Sequence, residues 1–232
     1  MPPLRSLLLF SACFCLAAQE PPRLSETDSV QKLVETLFPK STRLKEIRMG
    51  EIVRELGIRE GSQVADVGCA SGEFSIVLSH IVGPQGRVYC EDIDGNKQYG
   101  LGKAKANFRQ RRLRNVTLIL GAPDDPKLPA AALDAVMIVN AYHEMPKYVA
   151  MLHRIGESLK PGGRLVIMDN RPNRTLSRPR EKQTRNHVLS VDLAAADVAA
   201  AGFRILDRQD GFLDDPDSES AHWLIAAERP RS

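Results

Sequence analysis

The sequence predicts a single α/β domain built on a doubly wound, mostly parallel sheet, and three observations carry that expectation. From Gln63 onward, short β-branched runs punctuated by glycine alternate with longer amphipathic segments, the rhythm of βαβ units. Runs such as Ala135-Val136-Met137-Ile138-Val139 are apolar at every position, as strands covered on both faces are. The length of 232 residues suits one medium-sized core and would cramp two.

The chain opens with Arg5 ahead of an apolar run from Leu7 to Ala18, which ends in small residues before the polar Gln19-Glu20-Pro21-Pro22. That layout predicts an export signal over residues 1–18, too short for the roughly 20 residues of a comfortable membrane span. A periplasmic or secreted protein is therefore expected, membrane-anchored if the leader is retained. A linker and an N-terminal helix are assigned to 19–42, and the domain proper to 43–230. Helical spacing runs through Val30, Leu33, Val34 and Leu37 and again from Leu44 to Leu56, with Pro39 between two helices. Strands are expected over Gln63 to Val67, Arg87 to Asp92, Val116 to Leu120, Leu133 to Val139 and Arg164 to Met168. Helices are expected between them over Gly72 to Val82, Asn96 to Arg112 and Lys147 to Leu159. An alanine-rich helix from Val191 to Ala201 then precedes strands near Phe203 to Asp207 and His222 to Ala227. The acidic turn Asp214-Asp215-Pro216-Asp217 between those last two, the sixth and seventh strands, predicts an antiparallel C-terminal hairpin.

Composition narrows the function classes. An apolar share of 43%, a charged share of 26% and 5% aromatics exclude a disordered or membrane-embedded chain. A net charge of +3 gives no ground for a polyanionic partner. Of the four cysteines, Cys13 and Cys15 fall in the leader. Cys69 and Cys90 remain, each read as a small buried residue, and nothing matches the spacing of a structural zinc site.

The segment richest in chemistry is Val64-Ala65-Asp66-Val67-Gly68-Cys69-Ala70-Ser71-Gly72, a strand, a glycine-bearing turn and a helix start. Parallel sheets bind ligands at the carboxyl ends of their strands, and glycines let a ligand touch the backbone. A dinucleotide fingerprint registered on Gly68 needs a small residue at position 73, where Glu73 stands. A carboxylate there would face the pyrophosphate across the helix N-terminus, so a ligand with sulfonium and ammonium groups fits better.

Asp66-Val67-Gly68-Cys69-Ala70-Ser71-Gly72 resembles the D-x-G-x-G-x-G motif of class I S-adenosylmethionine-dependent methyltransferases, with Ala70 in place of the middle glycine. The resemblance extends from about Arg48 to Ala227 and implies a Rossmann-like fold with S-adenosyl-L-methionine as cofactor. It implies that Gly68, Ala70 and Gly72 face the methionine end and that Asp66 orders its ammonium. A methyl at position 70 is acceptable there if the backbone φ is negative. Asp92, or Glu91 if the register slips by one, is implied to accept both ribose hydroxyls, which one ionised carboxylate can do. Ile93 is implied to pack on adenine, and Asp124, ahead of Asp125, to accept from its amino group. Asn140 completes the cofactor-binding set. Leu159-Lys160-Pro161-Gly162-Gly163 is a further family hallmark, expected to stop a helix and turn into a strand.

Asn140-Ala141-Tyr142-His143-Glu144-Met145 is similar to small-molecule members related to quinone-biosynthesis methyltransferases. It lacks the N-P-P-[YF] signature of base N-methyltransferases, so a small-molecule acceptor is expected and nucleic acid is not. Methyl transfer from a sulfonium is an in-line displacement that needs a base only if the acceptor must lose a proton. His143 is the candidate base because imidazole titrates near neutrality. Tyr142 is either a pocket wall or a packed aromatic. Asn140 with Asp169-Asn170 offers a magnesium alternative, disfavoured because Asn140 replaces an expected carboxylate. Arg171, Arg174, Arg178, Arg180, Lys182 and Arg185 read as a solvated loop or as a lid that recruits an anionic acceptor. The rival to an enzyme is an exported, noncatalytic ligand-binding or interaction protein that keeps the fold.

Overall fold

The computed structural model describes residues 27–172, 179–214 and 221–231; the expected export signal, Arg174 and Arg178 lie outside the described residues. Three helices lead in: α1 (Thr27–Leu37), α2 (Thr42–Glu46) and α3 (Met49–Leu56). The second helical stretch expected from the sequence is thus two helices. The break falls at Arg48, whose guanidinium stacks 5.1 Å from the Phe212 ring and whose Nη1 donates to the Phe212 carbonyl at 2.9 Å. That anchorage on a late strand draws the backbone out of helical geometry, with φ −71° and ψ 61°.

Alternation then sets in as expected: β1 (Gln63–Val67), α4 (Glu73–Val82), β2 (Arg87–Asp92), α5 (Leu101–Gln110), β3 (Val116–Leu120), β4 (Leu133–Val139), a 3-10 turn (Tyr142–Glu144), α6 (Tyr148–Ser158) and β5 (Leu159–Asn170). Helix α5 starts five residues later than its apolar spacing suggested. The amides of Asp94, Asn96 and Gln98 donate in turn to the side chains of Asp92, Asp94 and Asn96, so successive side-chain turns occupy the backbone first. Lys160-Pro161-Gly162-Gly163 lies within β5, where the pairing with β4 shifts register between Leu133 and Ala135. The chain closes with α7 (Arg180–Thr184), α8 (Val191–Ala200), β6 (Arg204–Leu213) and β7 (His222–Glu228).

The seven strands order as β3-β2-β1-β4-β5-β7-β6. Strands β1 to β5 pair in parallel, whereas β7 runs antiparallel to both β5 and β6. This is the Rossmann-like sheet with an antiparallel C-terminal hairpin that the sequence predicts. Both faces are covered, and β4 shows how. Ala135, Met137 and Val139 join the core beneath α1, α3 and α4, while Val136 and Ile138 join the core with Met151, Leu152 and Val198 from α6 and α8. The strand order reverses between β1 and β4, so their carboxyl ends open a crevice. Among the described residues, no helix is long and apolar enough to cross a membrane.

Candidate functional site

The turn after β1 is held from below by β2: the Gly68 and Cys69 amides both donate to the Glu91 carbonyl at 2.9 Å. Gly68 has φ 75°, and a Cβ there would lie 2.5 Å from Ala141 Cβ after β4. Only glycine lets the two strand ends approach so closely. Gly72, at φ 75°, leads into α4 with its carbonyl accepting from the Ile76 amide.

Between these glycines Ala70 has φ 44°, a left-handed conformation and the opposite of the negative angle under which its methyl would be at ease. A non-glycine residue there carries about 1–2 kcal/mol of steric cost. Ala70→Gly should therefore raise unfolding free energy by about 1 kcal/mol, since the removed strain exceeds the added freedom of the unfolded chain. Urea unfolding of the two chains checks this, and an unchanged or lower midpoint refutes it.

Cys69 and Cys90 form a disulfide, with Cα atoms 5.6 Å apart. Each is buried, as expected, but they are one unit. Parallel pairing sets Asp66 opposite Cys90 and Val67 opposite Glu91, which brings the turn after β1 over the end of β2. The bond joins the glycine turn to a position two residues before Asp92.

Asp92 ends β2 half-buried, and its Oδ2 accepts from the Ala70 amide at 2.8 Å while Oδ1 accepts from the Asp94 amide at 2.8 Å. Each oxygen keeps a second lone pair for a hydroxyl donor. Ile93 beside it is 54% exposed, an apolar surface left open next to that carboxylate. Glu91, the alternative, is buried with no hydrogen-bond partner at Oε1. Burial, with the nearby Asp92 charge, raises its pKa to about 8. It is therefore a protonated acid near neutrality, unsuited to the task of a charged acceptor, and the geometry favours Asp92.

Asp66 sits beneath the turn, 1% exposed, accepting from Ser75 Oγ at 2.7 Å. Burial raises its pKa to about 7. Asp124 stands exposed in the turn after β3, where Ala122 and Asp125 form an isolated bridge, and Asp125 Oδ1 is taken by the Lys127 amide. Asn140, at φ 53° just beyond β4, has a buried Oδ1 with no partner, an acceptor left unsatisfied at the strand end.

Beyond Asn140, Tyr142 is packed: it is 1% exposed and donates its hydroxyl to Asp197 Oδ2 at 2.9 Å. His143 is held through Asp169, fully buried at the end of β5. Asp169 Oδ2 accepts from the His143 amide at 2.8 Å and Oδ1 meets His143 Nδ1 at 2.7 Å. An ionised carboxylate only accepts, so Nδ1 carries the proton and Nε2 of the neutral ring is the free nitrogen. Burial pulls the ring's pKa down, but the hydrogen bond and charge of Asp169, with Glu144, outweigh it and the net shift is upward. Asp169 is thus engaged by the His143 ring and amide, and Asn170 Nδ2 donates to the His187 carbonyl. The basic stretch is partly neutralised: Arg171 pairs with Asp214 at 2.7 Å, and Arg180 pairs with Asp197 while stacking over the Tyr148 ring.

Comparison with known proteins points to the same kind of domain. Residues 64–163, from β1 into the start of β5, match the family described as "Methyltransferase domain". The match takes in under half of the chain and makes that stretch similar to methyltransferase domains. The chain shows the same likeness in single relatives. It is 31% identical over 120 residues to a demethylmenaquinone methyltransferase of Geobacillus sp. (strain WCH70), a match covering 51% of this chain and 50% of that protein. The chain thus spans about half the length of the curated relatives it matches. It is similar in fold to a SAM-dependent methyltransferase from Aquifex aeolicus, at TM-score 0.67 and 22% identity, over 85% of this chain and 97% of the other. It is also similar in fold to Aeropyrum pernix fibrillarin in complex with S-adenosyl-L-methionine, at TM-score 0.51, 19% identity, 73% and 67% coverage.

The sequence placed the glycine turn, Asp92, Asn140 and His143 at or just beyond the strand ends, which is where they stand. It missed the disulfide, the Asp169 support for His143 and the proximity of His187. Asp169 could have been suspected as a carboxylate at a strand end; His187 gave no signal.

Proposed function

We propose that the chain binds S-adenosyl-L-methionine across the carboxyl ends of β1 and β2 and passes its methyl group to a small-molecule acceptor entering over the end of β4. The observation that carries this reading is Asp92, whose carboxylate bridges to the Ala70 amide of the glycine turn and retains lone pairs toward solvent. Those lone pairs suit the two ribose hydroxyls, Ile93 the adenine face, Asp124 the adenine amino group, and the orphan Oδ1 of Asn140 a donor on the methionine side. Asp66 acts from beneath the turn by charge. Bound there, the cofactor supplies a methyl on a sulfonium, and attack by the acceptor's lone pair leaves a neutral thioether.

The chain's own part is positioning, with His143 Nε2 placed to take a proton where the acceptor must lose one. Arg171 and Arg180 answer carboxylates of this chain, so recognition of the acceptor by its shape is favoured over recruitment by the basic stretch. An oxidising compartment, periplasmic or extracellular, is supported by the residue 1–18 leader pattern and by a disulfide inside the cofactor turn.

Calorimetric titration with adenosylmethionine, adenosylhomocysteine and NAD tests the reading. The first two should bind and NAD should not. Asp92→Ala should weaken binding at least tenfold, about 1.4 kcal/mol, as expected for a charged hydrogen-bonding partner. Equal affinity in the variant, or no binding by the native chain, overturns it.

A further inference from the structure

We infer that His143, Glu144 and His187 form a binding site for one divalent transition-metal ion of the zinc class. These are two imidazoles and one carboxylate whose ligand atoms all lie within 4.8 Å of one another. Glu144 Oε1 stands 3.7 Å from His143 Nε2 and 3.3 Å from His187 Nδ1. Ligands bound at about 2.0–2.1 Å around a tetrahedral ion are separated by about 3.3 Å, so the two oxygen-to-nitrogen edges need little movement. The third edge closes by a shift of His187, whose side chain is 72% exposed and free to swing. The two rings meet edge to face, with centroids 5.6 Å apart.

The second shell is in place. Asp169 holds His143 Nδ1 at 2.7 Å and its amide at 2.8 Å, which fixes the ring and leaves Nε2 as the lone pair aimed at Glu144. A carboxylate behind a histidine in this way raises the basicity of the ligating nitrogen and sets its tautomer. His187 is positioned by its backbone, with its carbonyl accepting from Asn170 Nδ2 at the end of β5. Two nitrogens and one oxygen select against magnesium and calcium and suit zinc or cobalt. Three protein ligands leave a coordination position open, to water or to an oxygen or sulfur of a bound molecule.

This site needs no cofactor to bind its ion, and it shares His143 Nε2 with the methyl-transfer reading. Where both hold, the ion at Nε2 replaces the free imidazole as the group that makes an acceptor hydroxyl or thiol easier to ionise.

The test uses the tag-free full chain stripped by chelator, titrated with zinc chloride by calorimetry and with cobalt chloride by visible absorption. One ion per chain should bind, with cobalt bands of a four- or five-coordinate nitrogen and oxygen site. His187→Ala and Glu144→Gln should each weaken zinc binding at least tenfold while leaving the thermal midpoint and adenosylmethionine affinity as in the native chain. Failure to bind one equivalent, or native affinity in both variants, overturns the site. Cofactor affinity measured on the same samples reports on the methyl-transfer reading separately.

Discussion

Opening the Cys69–Cys90 disulfide should destabilise the domain by about 3 kcal/mol, the chain-entropy value for a loop of this size, here a sequence separation of 21. For a domain of this length that lowers the thermal midpoint by roughly 6–12 °C. The effect should be legible two ways. The Cys69→Ala, Cys90→Ala double variant melts low with or without reductant, and the native chain melts low only with it. A native midpoint unmoved by reductant, with free-thiol titration confirming that the bond is open, refutes the expectation. Cofactor affinity should fall by less than stability does. The turn keeps its backbone ties to the Glu91 carbonyl and the Ala70 amide keeps Asp92, so most of the pocket geometry survives without the covalent link.

That staple marks where the sequence stops being readable. Strand β4 is visible as a nearly continuous apolar run because both of its faces are buried, and burial is what periodicity encodes. The glycine turn is visible because positive φ and a close strand approach demand a residue type. Pairing is different. Cys69 and Cys90 become partners only through the parallel register that sets Asp66 opposite Cys90, and no local pattern states a register. Ala70 illustrates a sharper limit. Its identity suggested a backbone that tolerates a methyl, and the structure puts it in the left-handed region, where the neighbouring glycines and the Asp92 hydrogen bond impose the angle. Local preference loses to tertiary constraint at that residue. His187 was unreadable for the same reason: it lies just after α7 and reaches His143 only through the tertiary fold.

Stability without cofactor should decline as pH rises from 6 to 9, because two buried acids are protonated in the folded chain. Burial lifts Asp66 from 3.8 to about 7 and Glu91 from 4.5 to about 8. Folding therefore raises proton affinity at both. Their contribution is fully present below their unfolded values near 4 and is lost as pH climbs through 7 to 8. Ordinary carboxylates are ionised in both states above pH 6, so they add no slope in this window. His143, shifted upward, loses its contribution in the same direction, while His80, shifted downward by burial, opposes it around its unfolded value. The acids should dominate, with a combined fall on the order of a few kcal/mol across the window. Glu91→Gln should flatten the profile, since its neutral amide has nothing to lose; a native slope in that variant would assign the pH dependence elsewhere. A cationic ligand over the turn reverses the preference at Asp66, favouring its ionised form and expelling its proton. Adenosylmethionine binding at pH 6.5 should then release protons, seen as a binding enthalpy that changes with the ionisation enthalpy of the buffer, and Asp66→Asn should abolish most of that release.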